Sequence, residues 1–377
     1  MPSRITPATQ TADRGPVASG QNARGTGPIA AQSRSRVRLW TTRLLALATG
    51  SLLVALLVEA GLRIVAPQPK SWLDIYRTLP PPLYFGLAPS SQALVDTQES
   101  RWRVFTDEAG HRIGASPAPA SDRPNAVFIG DSFTFGQSVE YEQSFVGLID
   151  AAPDAPASFT NLGVGGYGPS QYRMVLDQVL GEGGRPAAVI VTSFLGNDFH
   201  DCMWDKHVLV RDGALTDVTG VRVVLKQNLH SYRLFSRWWH AWNPAPQQIQ
   251  ARQMFEPASW TQPFYVQARA KFSEEFERMA QACRSNSIPF LVVLIPPRET
   301  IDHHGQAAGP LQYDLPLAQA RASLQELDIP FLDATPNLVA VGADQAFLPI
   351  DGHLTARGHQ AVRDCIQPSV ERLVGGR

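Results

Sequence analysis

In the stretch FIGDSFTFG, residues 128–136, an apolar run turns abruptly into Gly130-Asp131-Ser132. A serine hydroxyl is a poor nucleophile until a base takes its proton. A candidate base lies near the other end of the chain, in DGHLTARGH, residues 351–359. His353 can accept the proton, and Asp351, two residues earlier, can fix its tautomer, since residues i and i+2 of extended chain point to one side. A tetrahedral intermediate then needs donors for its oxyanion. The amide of Ser132, the amide of Gly166 in NLGVGGYG (161–168) and the side chain of Asn197 in Gly196-Asn197-Asp198 are the candidates. Nucleophile, base, orienting acid and oxyanion donors together make a set suited to acyl transfer.

These residues can act together only if the fold gathers them. From residue 125 onward, apolar runs alternate with helical periodicity. The runs are 125–130, 158–164, 187–196, 288–296 and 329–334. Continuous apolar runs of this length are the mark of parallel strands covered on both faces. The helical patterns lie at 142–150, 169–182, 262–286, 313–327 and 355–374. Such alternation predicts an α/β fold, a three-layer doubly wound parallel sheet. In that architecture ligands bind beyond the C-terminal ends of the strands, which is where Ser132, the glycine loop and Asn197 fall.

The four blocks resemble those of the SGNH (GDSL-type) hydrolases, named for Ser, Gly, Asn and His. GDS at 130–132, NLGVGGYG at 161–168, GND at 196–198 and DGH at 351–353 stand in the family's order over residues 125–375. The spacing Asp-x-His is one residue shorter than the commonest pattern and resembles the alginate-acetylation branch, whose members transfer acetyl groups to polysaccharide. The segments EAGLRIVAP and TDEAGHR also look like bacterial membrane-anchored members. The resemblance implies a flavodoxin-like fold, no metal and no cofactor. It also implies ester hydrolysis, or O-acyl transfer, on an acyl ester or an acetylated carbohydrate.

Other readings of the same residues compete. Ser132 alone would pass as an N-cap, and Asp131 as a turn residue. Gly163, Gly165 and Gly168 match G-x-G-x-x-G after a strand, a dinucleotide-binding pattern, but Pro169 follows and no acid ends the next strand. Asp198 reads as a structural cap of the loop bearing Asn197. Asp302, His303 and His304 could ligate a metal, although a solvated loop explains them as well. His200, His207, His230 and His240 show no ligand spacing, and His359 falls in the last helix. Arg298, after the fourth run, could meet an anionic substrate. A non-catalytic carbohydrate-binding protein on the same fold, and a nucleotide-dependent oxidoreductase, are the rival functions.

The rest of the chain sets the context. Residues 1–36 are rich in Pro, Gly, Ser, Thr, Gln and Arg and read as a disordered basic tail. The run LLALATGSLLVALLV, 44–58, follows and carries no charge. It is shorter than the roughly 20 residues that span a bilayer, but Trp40, Arg43 and Arg63 can extend it by anchoring and snorkelling. Residues 37–66 are therefore read as a transmembrane signal anchor, with a cleaved signal peptide and a buried helix as alternatives. Seven arginines and one acid, Asp13, precede residue 44. The positive-inside rule then leaves the tail in the cytoplasm and the later residues outside, as for a single-pass protein of a bacterial inner membrane with a periplasmic domain.

Residues 67–123 read as a Pro-rich linker and extension, with a short hairpin at 101–114. Residues 124–377 read as the hydrolase-like domain, with an insertion at about 199–260. That insertion holds Trp204, Trp238, Trp239, Trp242 and Trp260 and a hairpin turn at Arg211-Asp212-Gly213. It reads as a helical cap packed on the domain, or as a lid or sugar-stacking surface. A formal net charge of -1 argues against nucleic acid as a partner. Cys202, Cys283 and Cys365 show no metal spacing, and a single bridge among them is left open.

Overall fold

The structure is a computed structural model of the 377-residue chain. It describes residues 29–68, 70, 72–97, 99–116, 123–152, 155–203, 208–216, 221–242, 252–306 and 309–375. Most of the basic tail, the stretch 117–122, Trp204 and His207 lie outside these residues.

Two units form the chain, 1–61 and 62–377. In the first, one continuous helix, Ile29–Val65, runs past the unit's end. Its stretch Arg38–Val65, 28 residues, is long and apolar enough to cross a membrane. Because the helix continues beyond the uncharged run, it supplies about 42 Å of length at 1.5 Å per residue. Leu44, Leu45, Leu47, Leu52, Leu53, Leu56 and Leu57 are all exposed on it.

Among its described residues the second unit holds one large sheet and two two-stranded ones. Its strands, in chain order, are β1 (Tyr76–Thr78), β2 (Phe85–Leu87), β3 (Gln92–Asp96), β4 (Arg101–Thr106), β5 (Arg112–Ile113), β6 (Asn125–Ile129), β7 (Ser158–Asn161), β8 (Val189–Phe194), β9 (Leu209–Arg211), β10 (Ala214–Thr216), β11 (Phe290–Ile295) and β12 (Phe331–Asp333). The main sheet has eight strands in the order β12-β11-β8-β6-β7-β5-β4-β3, and the two-stranded sheets are β1-β2 and β9-β10. The five from β7 to β12 are parallel. Taken alone their order is 2-1-3-4-5, the flavodoxin-like winding, whose switch point lies between the first and third strands. Here that is the crevice between β6 and β8.

Each central strand divides its side chains between two cores. Val127, Ile129, Val191, Val292 and Leu294 join one core with Tyr172 and Leu176 of helix Pro169–Gly181 and Phe272, Phe276 and Met279 of helix Pro263–Ser285. Ala126, Phe128, Ile190, Val293 and Ile295 join the other with Phe145 and Ile149 of helix Phe145–Asp150 and Val362, Ile366 and Val370 of helix Ala356–Gly375. A strand covered on both faces has no polar side to alternate, which is why these segments read as unbroken apolar runs.

The sheet is not wholly parallel. β3, β4 and β5 add to its β7 edge in antiparallel fashion, with Arg112 paired to Asn161. The expected hairpin at 101–114 is formed by β4 and β5. Asp107 accepts the amides of Ala109 and His111 at 2.9 and 2.8 Å, and Gly110 takes φ +93. Such Asx and glycine chemistry closes a tight turn. Trp102 and Val104 of β4 are buried in the first core, and β3, β4 and β5 are strands of the main sheet.

Within the insertion, β9 and β10 form a separate hairpin whose turn residues Asp212 and Gly213 have φ +47 and +75. Positive φ at both positions suits the primed turns that hairpins use. Helices Val221–Asn228 and His230–Trp242 follow. The helical part of the cap expectation is present, but the tryptophans divide. Trp260 packs edge-on against Phe199 with ring centroids 4.9 Å apart, whereas Trp238, Trp239 and Trp242 are exposed.

Candidate active site

Ser132 opens a four-residue helix, Ser132–Phe135, at the end of β6. Asp131 caps it, its carboxylate accepting the Phe133 amide at 2.8 Å. Gly136 closes it in the left-handed region, φ +82. At the first position of a helix an amide has no intrahelical partner, so the Ser132 N–H is available beside its own hydroxyl. The buried hydroxyls of Thr134 and Thr192 hydrogen-bond each other and tie this short helix to β8.

His353 lies beside Ser132. Its Nε2 is 2.8 Å from Ser132 Oγ, and its Nδ1 is 3.0 Å from Asp351 Oδ2. This places a base between serine and carboxylate. The connecting chain is not extended. Gly352 has φ +76, and Phe347 and Leu354 form a bridge that pins a compact loop. Asp351 therefore reaches the imidazole across a turn rather than along a strand. Burial alone would raise the Asp351 pKa, but the bond and charge of His353 and the hydrogen bonds from Ser138 and Gln137 hold it below the usual carboxylate value. Gln137 Nε2 also stands 3.4 Å from His353 Nδ1. The Asp351 carboxylate can only accept, so Nδ1–H donates to it and Nε2 is left to accept from Ser132.

The glycine loop packs against the serine helix. A β-carbon at Gly163 would stand 2.4 Å from the Phe135 nitrogen, so only glycine permits this approach. Asn161 locks the two together: its amide donates to Thr134 O at 2.8 Å, and its carbonyl accepts the Gly163 amide at 2.9 Å. A β-carbon at Gly165 would lie 3.7 Å from that of Ser132 and 2.7 Å from the Tyr76 hydroxyl. Gly166 follows with φ +90. Asn197 is the N-cap residue of helix Asp198–Asp201, at the end of β8. Its Oδ1 is buried without a hydrogen-bond partner among the described residues.

Other residues singled out by sequence have structural positions. Asp198 is fully buried and accepts the hydroxyls of Tyr172 at 2.9 Å and Ser193 at 2.6 Å. Burial, with the charge of Asp131 next, pushes its pKa well above the ordinary value. His359 sits in the last helix and accepts the Phe145 amide at 3.3 Å; burial lowers its pKa to about 3 and keeps it neutral. Arg298 pairs with Asp302 at 3.1 Å and with Asp344. His303 stacks on Tyr313 with centroids 3.9 Å apart, and no metal-ligating cluster occurs among the described residues. His200 approaches the Tyr265 hydroxyl at 3.2 Å, and His230 Nδ1 accepts the Gln68 amide at 2.8 Å. The cysteines are free, with Cys202 and Cys283 buried. Burial raises the Cys283 pKa to about 12 and the Cys365 pKa to about 11.

The dinucleotide reading of the glycine loop meets a steric objection. A β-carbon at Gly168 would be 2.6 Å from that of Asp201, so the mouth of the following helix is filled by an acidic side chain. A carboxylate there repels the phosphate such a loop would hold.

Several residues at the site escaped the motifs. Ser138 donates to Asp351 Oδ2 at 2.7 Å. Glu99 accepts the amides of Ile350 at 2.8 Å and Asp351 at 2.6 Å, so one carboxylate grips the loop carrying the acid. Arg112, buried in β5, donates to the carbonyls of Phe135, Gly136 and Val139, the last at 2.6 Å. Its guanidinium lies 4.6 Å from the centre of the Phe135 ring and 5.4 Å from that of Trp102. The extension thus braces both the chain after Ser132 and the chain before His353. An arginine inside a strand-like run, flanked by His111 and Ile113, was the one available sign.

No family model and no curated protein matches the chain. Among solved structures, a carbohydrate acetylesterase family member from Sinorhizobium meliloti is similar at 16% identity, over 67% of this chain and 99% of that one, with a TM-score of 0.36. A member of the lipolytic protein G-D-S-L family from Veillonella parvula is similar at 12% identity, over 65% and 96%, with a TM-score of 0.38. An acetyl-xylooligosaccharide esterase variant from Geobacillus is similar at 13%, over 67% and 94%, with a TM-score of 0.36.

Proposed function

We propose that the protein is a serine ester hydrolase acting on O-acyl, chiefly O-acetyl, esters. The observation that carries this reading is the relay Ser132 Oγ–His353 Nε2 at 2.8 Å and His353 Nδ1–Asp351 Oδ2 at 3.0 Å. Ser132 attacks the acyl carbonyl while His353 takes its proton. The oxyanion is held by the Ser132 amide, the Gly166 amide and the Asn197 side chain. His353 returns the proton to the departing alcohol, leaving an acyl-serine. Water, deprotonated by His353, then releases the acid and restores the serine. Asp351 keeps Nδ1 protonated throughout and stabilises the imidazolium that forms.

The same acyl-serine can pass its acyl group to a sugar hydroxyl. The Asp351-Gly352-His353 spacing supports this second reading, an O-acetyltransferase acting on an extracytoplasmic polysaccharide. The N-terminal helix serves as a single-pass anchor, with lipid as its partner. The arginine bias before residue 44 supports a catalytic domain on the extracytoplasmic, periplasmic side of the inner membrane.

The test is hydrolysis of p-nitrophenyl acetate by the full chain in detergent, wild type beside Ser132→Ala. Nitrophenol release by the wild type alone is expected. Release at equal rates by both would remove Ser132 from the mechanism. Nitrophenol release that holds or rises when acetyl-accepting oligosaccharides are added, with acetylated sugar formed in place of free acetate, would favour the transferase. Stoichiometric glycan binding that survives Ser132→Ala, with no turnover by either protein, would favour a non-catalytic binder.

A further inference from the structure

The helix His230–Trp242 divides its residues sharply. Arg233 is buried and donates to the carbonyls of Lys226 at 2.9 Å, Gln227 at 2.5 Å and Gln68 at 3.2 Å. Ser236 and Arg237 are half-buried. Leu234, Phe235, Trp238, Trp239 and Trp242 are exposed, Trp242 at 75%. At about 100° per residue these five fall within an arc of about 140°. Among the described residues of the second unit, no other helix turns three tryptophans outward. Val221 and Val224 of the preceding helix are exposed as well. A contiguous apolar face of this kind on a protein surface marks an interaction site.

Three bonds tie these two helices to residues 63–68, the last turn of helix Ile29–Val65 and the chain that follows it. Arg63 donates to Asn228 O at 2.6 Å, the Gln68 amide donates to His230 Nδ1 at 2.8 Å, and Arg233 holds Gln68 O. Trp72 adds a stacking surface, with the Arg233 guanidinium 4.9 Å and the Lys226 ammonium 5.4 Å from its ring centre. The apolar helix ends at Val65, so the helix pair is fastened within a few residues of its end. The charge fits the same neighbour. Residues 218–255 contain Arg222, Lys226, Arg233, Arg237 and Arg252 and no carboxylate. Tryptophans with basic residues on an amphipathic helix are the composition of a segment lying in the bilayer interface.

We propose that helix His230–Trp242 lies in the membrane interface, its Leu234, Phe235, Trp238, Trp239 and Trp242 face set into the headgroup–acyl boundary of the bilayer that the N-terminal helix crosses. This rests on the anchor reading of that helix. The interfacial helix and the anchor are then two points of attachment, which fix how the catalytic domain is presented to the surface.

The full chain in phosphatidylethanolamine–phosphatidylglycerol vesicles tests this, with Cys365→Ser to remove the accessible thiol. Nitroxide labels are placed singly through Trp238→Cys, Trp242→Cys, Leu53→Cys and Glu326→Cys, and collision with oxygen is compared with collision with a water-soluble nickel chelate. The 238 and 242 labels are expected to shift toward oxygen, at a depth shallower than the 53 label, while the 326 label stays aqueous. Aqueous 238 and 242 labels beside a lipid-buried 53 label would overturn the interfacial helix and leave the anchor standing. Spin–spin broadening at 238, without the oxygen shift, would assign the face to a second copy of the chain and equally overturn the proposal. An aqueous 53 label would overturn the anchor reading and the proposal built on it.

Discussion

Arg112 is the most consequential residue outside the motifs, and Arg112→Met probes it. The guanidinium is 1% exposed and serves the carbonyls of Phe135, Gly136 and Val139. Methionine keeps the apolar stem between Trp102 and Phe135 but leaves three buried carbonyls unpaired. Each costs about 1–3 kcal/mol when its partner is removed. Part of this is offset. Burial lowers the Arg112 pKa from 12.5 to about 10. At about 1.4 kcal/mol per tenfold change, this represents a net cost of roughly 3 kcal/mol, burial being partly offset by nearby acidic groups, that methionine does not incur. The expected net loss is about 3 kcal/mol, measured as a lower chemical-denaturation midpoint for the full chain in detergent. That leaves an ordinary domain mostly folded.

Activity should fall further than stability explains. The released segment carries Gln137 and Ser138, which contact His353 and Asp351. Displacement on the order of 1 Å in such supports costs roughly 10- to 100-fold in kcat. KM should hold, since the segment steadies the triad. Arg112→Lys should be intermediate, because a single ammonium cannot span three carbonyls as the planar fork does. An Arg112→Met protein with the wild-type midpoint and kcat would refute the bracing role.

Three further outcomes are expected. Asn197→Ala should lower the esterase rate by roughly 10² to 10³ with little change in denaturation midpoint, as for loss of one oxyanion donor; an unchanged rate would remove Asn197 from that role. Glu99→Ala should lower kcat by roughly tenfold, about 1.4 kcal/mol at the transition state, because the Ile350 and Asp351 amides lose their shared acceptor; equal kcat in both proteins would detach Glu99 from the acid loop. Asp198→Asn should stabilise the fold at neutral pH. The raised pKa of Asp198 means that its contribution to stability is complete below the ordinary value of 3.8 and is lost as pH rises toward the folded-state value. The gain from asparagine should therefore shrink as pH falls to 3.8; a gain independent of pH would contradict a buried, uncharged carboxyl.

Much of the fold was legible because its signals are local. Five strands buried on both faces must be apolar throughout, and the helices between them must show the 3.6-residue period, so their order along the chain announced a doubly wound sheet. The four blocks were legible for a similar reason. Each is a strand end with its turn chemistry, and the winding rule brings strand ends to one crevice without knowledge of any contact. Tertiary structure decided what depends on contacts between distant segments. The strand β5 supplies a single residue pair to β7 and has almost no periodicity, so its membership of the sheet could not be read. Arg112 and Glu99 act on chain some 25 and 250 residues away, and nothing near them in sequence records that partnership. The reach of Asp351 was expected along extended chain and is achieved through a turn at Gly352, because the Phe347–Leu354 bridge folds the loop back. For the tryptophans of the insertion, composition alone could not separate inward from outward. Trp260 turned in to Phe199, and the helix His230–Trp242 turned its apolar face out because its buried side is held by the hydrogen bonds of Arg233.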